Sequence, residues 1–268
     1  MCLLSWSSIN PTFAQAKIER YQIKLVKNKV YIEAFINKKG PYNFLFDSGA
    51  TGLGRLDVRL VKELGLEDAG DFRNSDGNTI KIEKMAKVDQ MKVGKLTIKN
   101  INLMYRDYNL NPGPMVIDGV VGRDFFKDFL VSIDYPNQLL EISKNHLSIN
   151  DPGVTSYDQA FYVTGKIGNI EGRFAFDSGS SQRFHFPEHI IKQVKNQPTG
   201  ATSITKRANT NYNLTETILA DTIWFGNKPF VNQKVNYSSL ATWINVGTDF
   251  LKDHKITFDQ KNKLIKID

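Results

Sequence analysis

The sequence predicts an all-β protein made of two similar halves in tandem, each a small β-barrel or sandwich with one or two short helices. Three observations carry this prediction. Runs of alternating apolar and polar residues, rich in Ile, Val, Tyr and Phe, recur along the chain. Turn residues separate these runs at short intervals. A pattern met in the first half returns in the second.

The elements follow in order. "YQIKLVKNKVYIEAFIN" (21–37) alternates, with "KNK" as a turn between two strands. "YNFLFDSGAT" (42–51) is a buried strand by composition that ends on an acid and turns at once into glycine. "LDVRLVKELGL" (56–66) has apolar residues at helical spacing and stops at Gly65. In "DFRNSDGNTIKIEK" (71–84), Asp76-Gly77 is a strong hairpin turn. "KVDQMKVGKLTIKNINLMY" (87–105) gives strands around a "VGK" turn, and "LVSIDYPNQLLEI" (130–142) reads as another hairpin.

The second half repeats the scheme. "GRFAFDSGSS" (172–181) has the shape of the first acid-ending strand, about 130 residues on. "PEHIIKQVK" (187–195) is a short helix with Pro187 in its first turn. "QPTGATSITKRANTNYNLTET" (197–217) is long and polar, and reads equally as a second hairpin or a plain surface loop. "VGRDFFKDFLVSIDYPNQLLEI" (121–142) aligns without gaps to "VGTDFLKDHKITFDQKNKLIKI" (246–267), about 125 residues on. The natural division is therefore 17–150 and 151–268, with the turn-rich "NHLSINDPGVTS" (145–156) at the join.

Composition narrows the function. The net charge of +7 is spread over lysines that alternate with apolar residues, as on solvated strand faces. No dense basic stripe suggests a nucleic-acid partner. No apolar run approaches the roughly 20 residues of a membrane-spanning helix. Residues 1–16 carry no charged side chain and end in Ala14-Gln15-Ala16, which reads as the tail of a cleavable signal peptide and predicts a secreted or periplasmic protein. The only cysteine, Cys2, lies in that segment, so no internal disulfide or thiolate metal site is available. His185 and His189 are four apart, but no third ligand accompanies them, and no metal or cofactor is expected.

The two acids carry the chemistry. Asp47 and Asp177 each end a stiff buried strand, and small residues follow them, leaving room beside the carboxylates. Taken alone, either Asp-Ser-Gly is a common turn. As a pair related by a pseudo-two-fold axis, they would meet face to face. Like-charge repulsion would then make them share a proton, one acting as base toward water and the other as acid toward a carbonyl. Asp124, Asp249, Asp134 and Asp259 also repeat, but read as helix-start and turn residues.

On these residues the chain resembles the aspartic proteases of retropepsin and pepsin type. The apolar-apolar-Asp-Ser-Gly motif occurs twice, and so does the downstream motif, as Val120-Val121-Gly122-Arg123-Asp124-Phe125 and Asn245-Val246-Gly247-Thr248-Asp249-Phe250. The likeness covers nearly everything after residue 20. It implies two tandem retropepsin-like β-barrel lobes in a pepsin-like bilobal arrangement, and an endopeptidase with Asp47 and Asp177 as its catalytic pair. It also implies that Ser48 and Ser178 cross-link the two active-site loops, with Gly49, Thr51, Gly179, Ser180, Gly122 and Gly247 supporting them. The hairpin at 71–84 would be a flap, contacting substrate through Phe72 with Asp76 and Gly77 at its tip. The partner would be an extended peptide, and the chain a monomer. Two departures stand out: Ser replaces the family's usual Thr in both loops, and Asn245 breaks the apolar pair before Gly247. The alternative is a catalytically inactive relative that binds peptides or a partner protein in the same cleft.

Overall fold

Alternating β-branched and aromatic residues form strands here because one face of each can be buried. In the computed structural model, which describes residues 17–75, 79–110, 113–206 and 211–268, those strands make three sheets. The all-β expectation holds. The predicted signal segment and the hairpin tip at Asp76-Gly77 lie outside the described residues. Among the described residues no helix is long and apolar enough to cross a membrane.

The first sheet has eight strands, all between Lys24 and Gly122. Its strand Lys29–Ile36 pairs with Lys39–Asp47 on one side and with the far end of Ile80–Val93 on the other, which closes the sheet into a barrel. The "KNK" turn is made by Lys27 and Asn28, both at positive φ. The helix Val58–Leu64 is capped by Asp57, which accepts from the Arg59 N–H, and it ends at Gly65 in the left-handed region.

The second sheet has nine strands, between Asn196 and Lys206 at one edge and Lys228–Phe230 at the other. No pairing between its described edge strands closes it. The segment that could have been loop or hairpin is a hairpin, Asn196–Lys206 against Asn211–Leu219, with a bulge between Pro198 and Thr202. The helix predicted over 187–195 is shorter, Glu188–Ile191.

The third sheet joins the halves. The hairpins read at 130–142 and 255–267 lie side by side, and Leu130–Asp134 runs antiparallel to Lys255–Asp259. At its centre Ser132 Oγ meets Thr257 Oγ1 at 2.8 Å, in a buried hydrogen bond. Glu19–Gln22 and Val154–Ser156 form its edges.

The same local arrangement carries each acid. Lys39–Asp47 runs parallel to Gly119–Gly122, which pairs antiparallel with Gly54–Asp57 on its other side. Ile170–Phe176 runs parallel to Ile244–Val246, which pairs antiparallel with Phe184–Pro187. Beneath them is one continuous hydrophobic core. Phe46 meets Phe126 edge-on at 5.5 Å, and Phe174 meets Phe225 at 4.8 Å. Those rings are almost fully buried, so the strand ends that bear the acids rest on a support that cannot give easily.

Candidate active site

Asp47 is the last residue of its strand and pairs with Gly122 in the parallel register. Asp177 directly follows its strand, and its N–H donates to the Val246 carbonyl at 2.9 Å. The chain turns sharply after each acid. The Ala50 N–H donates to Asp47 Oδ1, and the Gly179 N–H donates to Asp177 Oδ1, both at 2.9 Å. Asp47 and Asp177 are half-buried as residues, and the serines beside them are fully buried.

Those serines tie the loops together. The Ser48 N–H donates to Ser178 Oγ, and the Ser178 N–H donates to Ser48 Oγ, each at 2.9 Å. The Ser48 hydroxyl donates to the Phe176 carbonyl and the Ser178 hydroxyl to the Phe46 carbonyl, again at 2.9 Å. Four hydrogen bonds in a buried site thus cross between segments far apart in the chain. The glycines complete the approach. A Cβ on Gly49 would fall 2.6 Å from Asp177 Oδ1, and one on Gly179 would overlap the Asp47 carboxyl. Each turn therefore packs its bare backbone against the opposite acid, a place only glycine can occupy.

The two carboxyls come within hydrogen-bonding reach of each other. Burial, and next the charge of Asp177, push Asp47 up from 3.8 to about 7. The positive charge of Arg55 pulls the other way and is outweighed. An acid and its conjugate base can therefore coexist at the pair near neutral pH. Tyr135 is buried nearby, and burial together with the Asp177 charge keeps its phenol from ionising.

The remaining predicted residues divide. Gly122 and Gly247 stand at matching places, their N–H groups donating to the Leu53 and Arg183 carbonyls at 3.1 Å. Ser180 holds its loop: its carbonyl accepts from the Thr248 N–H at 2.7 Å, and its hydroxyl oxygen accepts from the Gln182 N–H at 3.4 Å. Thr51 is exposed and makes no hydrogen bond to another described residue. Phe72 lies on the hairpin Asp68–Ser75 with Ile80–Val93, 45% exposed. Ile80 and Ile82 on the partner strand are exposed too. His185 is buried with Nε2 at 2.8 Å from Ser238 Oγ, His189 is exposed, and no group of metal-ligating side chains converges among the described residues.

Sequence reasoning missed three contacts. Arg123 Nη1 reaches the Ser48 and Gly49 carbonyls at 3.5 and 3.4 Å. Thr248, its counterpart in the repeated motif, donates its hydroxyl to the Ser178 carbonyl at 3.1 Å. The register of the two "VG-x-D-F" motifs aligns these residues, but nothing in the alignment says what they touch. The third is Asn245, noted only as a departure. It is buried, and its Nδ2 donates to Asp177 Oδ2 at 2.8 Å.

The family model described as aspartyl protease matches residues 32–125, which contain Asp47, the capped helix, the exposed hairpin and Gly122. No curated protein sequence matches the chain significantly. Over residues 32–125 the chain is therefore similar to an aspartic protease family.

Proposed function

We propose that the chain is an endopeptidase that hydrolyses peptide bonds with Asp47 and Asp177 acting together on one water molecule. The observation that carries the reading is the pair itself: the serine ring draws the two loops together, each carboxyl packs against the opposite glycine turn, and burial with the Asp177 charge raises Asp47 to about 7. One carboxylate takes a proton from water as the water oxygen bonds to the substrate carbonyl carbon. The other carboxyl gives its proton to the carbonyl oxygen. Collapse of the tetrahedral intermediate then breaks the C–N bond, and the amine leaves with a proton from the pair. No covalent enzyme intermediate is required.

The two strand arrangements around the acids support a duplicated, two-lobed chain, with residues 17–150 and 151–268 as its lobes. The peptide would lie extended between the two hairpins, Asp68–Val93 and Asn196–Leu219, whose exposed Phe72, Ile82 and Ile204 offer apolar contacts. Export to an extracellular or periplasmic space, as the charge-free first 16 residues suggest, is part of the same proposal.

The test is cleavage of a mixed peptide library, with and without a statine-type transition-state mimic. The expected result is cleavage that the mimic blocks, and a loss of about 10²–10⁴-fold in Asp47→Asn and in Asp177→Asn. A folded protein that cuts nothing from acid to alkaline pH would leave the inactive peptide-binding module as the better account.

A further inference from the structure

The two halves differ at one position beside the acids. In the strand Gly119–Gly122 the residue two before the glycine is Val120, 2% exposed, packed among Tyr31, Leu45 and Ala50. In the matching strand Ile244–Val246 it is Asn245, 4% exposed. Asn245 pairs with Ala175 on one side and His185 on the other, so its backbone is fixed in the middle of the sheet. Its amide donates to Asp177 Oδ2, while its Oδ1 is buried with no partner among the described residues. Burying an amide with half its polarity unmet costs stability, and valine serves at the mirror position. Among the described residues, the one hydrogen bond the side chain makes is with Asp177.

We propose that Asn245 is a positioning residue that fixes the pair's single proton on Asp47 and its negative charge on Asp177. Asp177 is then the base that takes the proton from water, and Asp47 the acid that protonates the carbonyl oxygen. The inference rests on reading the pair as a water-activating dyad. Asp177 receives one N–H at Oδ1 from Gly179 and a second at Oδ2 from Asn245. Among the described residues, the Ala50 N–H is the one N–H that Asp47 receives. A donor aimed at a carboxylate oxygen favours its ionised form.

Other charges facing the pair do not reverse this. Arg55 favours an ionised Asp47, but forms no ion pair with it within 4.0 Å, so its effect is an unfocused field rather than a bond. Arg123 spends its Nη1 on the Ser48 and Gly49 carbonyls. The ring of His185 is engaged with Ser238. Tyr108 and Tyr135 are held neutral by burial.

Two measurements decide the matter. In the wild-type protein at about pH 5.5, below the value reached by Asp47, ¹³C NMR of the side-chain carboxyls should give Asp47 Cγ as an acid and Asp177 Cγ as a carboxylate. The reverse order overturns the assignment, and this reading does not depend on cleavage. Absence of proteolysis would sink the proposed function without touching the proton's position. In Asn245→Val, which copies the residue at 120, the acid limb of kcat/KM should move up by about one to two pH units. A limb that stays put, or that moves down as it would if the amide were turned with Oδ1 toward a protonated Asp177, overturns the proposal. Should that variant not fold, the NMR result decides alone.

Discussion

Ser48 and Ser178, 130 positions apart, each accept the other's backbone N–H on a side-chain oxygen and donate the hydroxyl proton to the carbonyl before the opposite acid. The distance between the acids is therefore set by a closed ring of bonds rather than by the separate sheets.

Removing one hydroxyl breaks two of these bonds and leaves a buried N–H and a buried carbonyl without partners. Ser48→Ala or Ser178→Ala should each cost about 2–4 kcal/mol, measured by denaturant unfolding. The double variant should cost less than the sum, because both single changes damage the same network. Strict additivity would mean that the two serines act independently.

In the proposed reaction the pair must keep one proton to work as acid and base together. Because burial and the neighbouring charge raise Asp47 to about 7, that proton is lost as pH rises through about 7. The alkaline limb of kcat/KM should therefore fall near pH 7, roughly tenfold per unit above it. A limb several units lower would mean that Asp47 is ionised at its working pH.

The same shift affects stability. The folded-state value of Asp47 lies above its ordinary 3.8, so between about 4 and about 7 the folded protein holds a proton that the unfolded chain has released. Folding then takes up a proton, and stability from this group is complete below about 4 and is lost as pH rises to about 7. Asp47→Asn removes that dependence. Its melting temperature should exceed that of the wild type at neutral pH, with the gap closing toward pH 4. Parallel melting profiles over that range would contradict the shift.

How much of this was legible beforehand follows from the range of each interaction. The strands, the helix stop at Gly65 and the two acid-bearing turns are written in neighbouring residues, and they stand where the pattern puts them. The pairing of Leu130–Asp134 with Lys255–Asp259 is not, because two ordinary hairpins carry no mark of joining one sheet. Asn245 could be seen as an exception to an apolar rule. Its partner, 68 positions away, becomes visible only once Ile244–Val246 lies beside Ile170–Phe176. Ser180 could be placed in its turn, but not its bond to the Thr248 N–H, which comes from a residue 68 positions on. The hairpin Asn196–Leu219 was undecided because polar strands at a sheet edge resemble loops in composition.

Gly49 and Gly179 bear the tightest steric demand at the pair. In Gly49→Ala the new carbon would stand 2.6 Å from Asp177 Oδ1, and in Gly179→Ala it would meet the Asp47 carboxyl. Neither carboxyl can swing aside freely. Asp177 is held by the Gly179 N–H and by Asn245, and Asp47 by the Ala50 N–H. The overlap must be relieved by separating the loops, and the serine ring resists that. Each alanine should cost about 1–3 kcal/mol and, by moving the acids apart by about an ångström, about 10²-fold in kcat. Gly113→Ala is the control, since its nearest contact would be the Met115 carbonyl at an ordinary 3.9 Å. It should leave activity and stability unchanged. If the alanines at 49 and 179 behave like the one at 113, the acids are not packed against the opposite turns, and the geometry of the pair must be different.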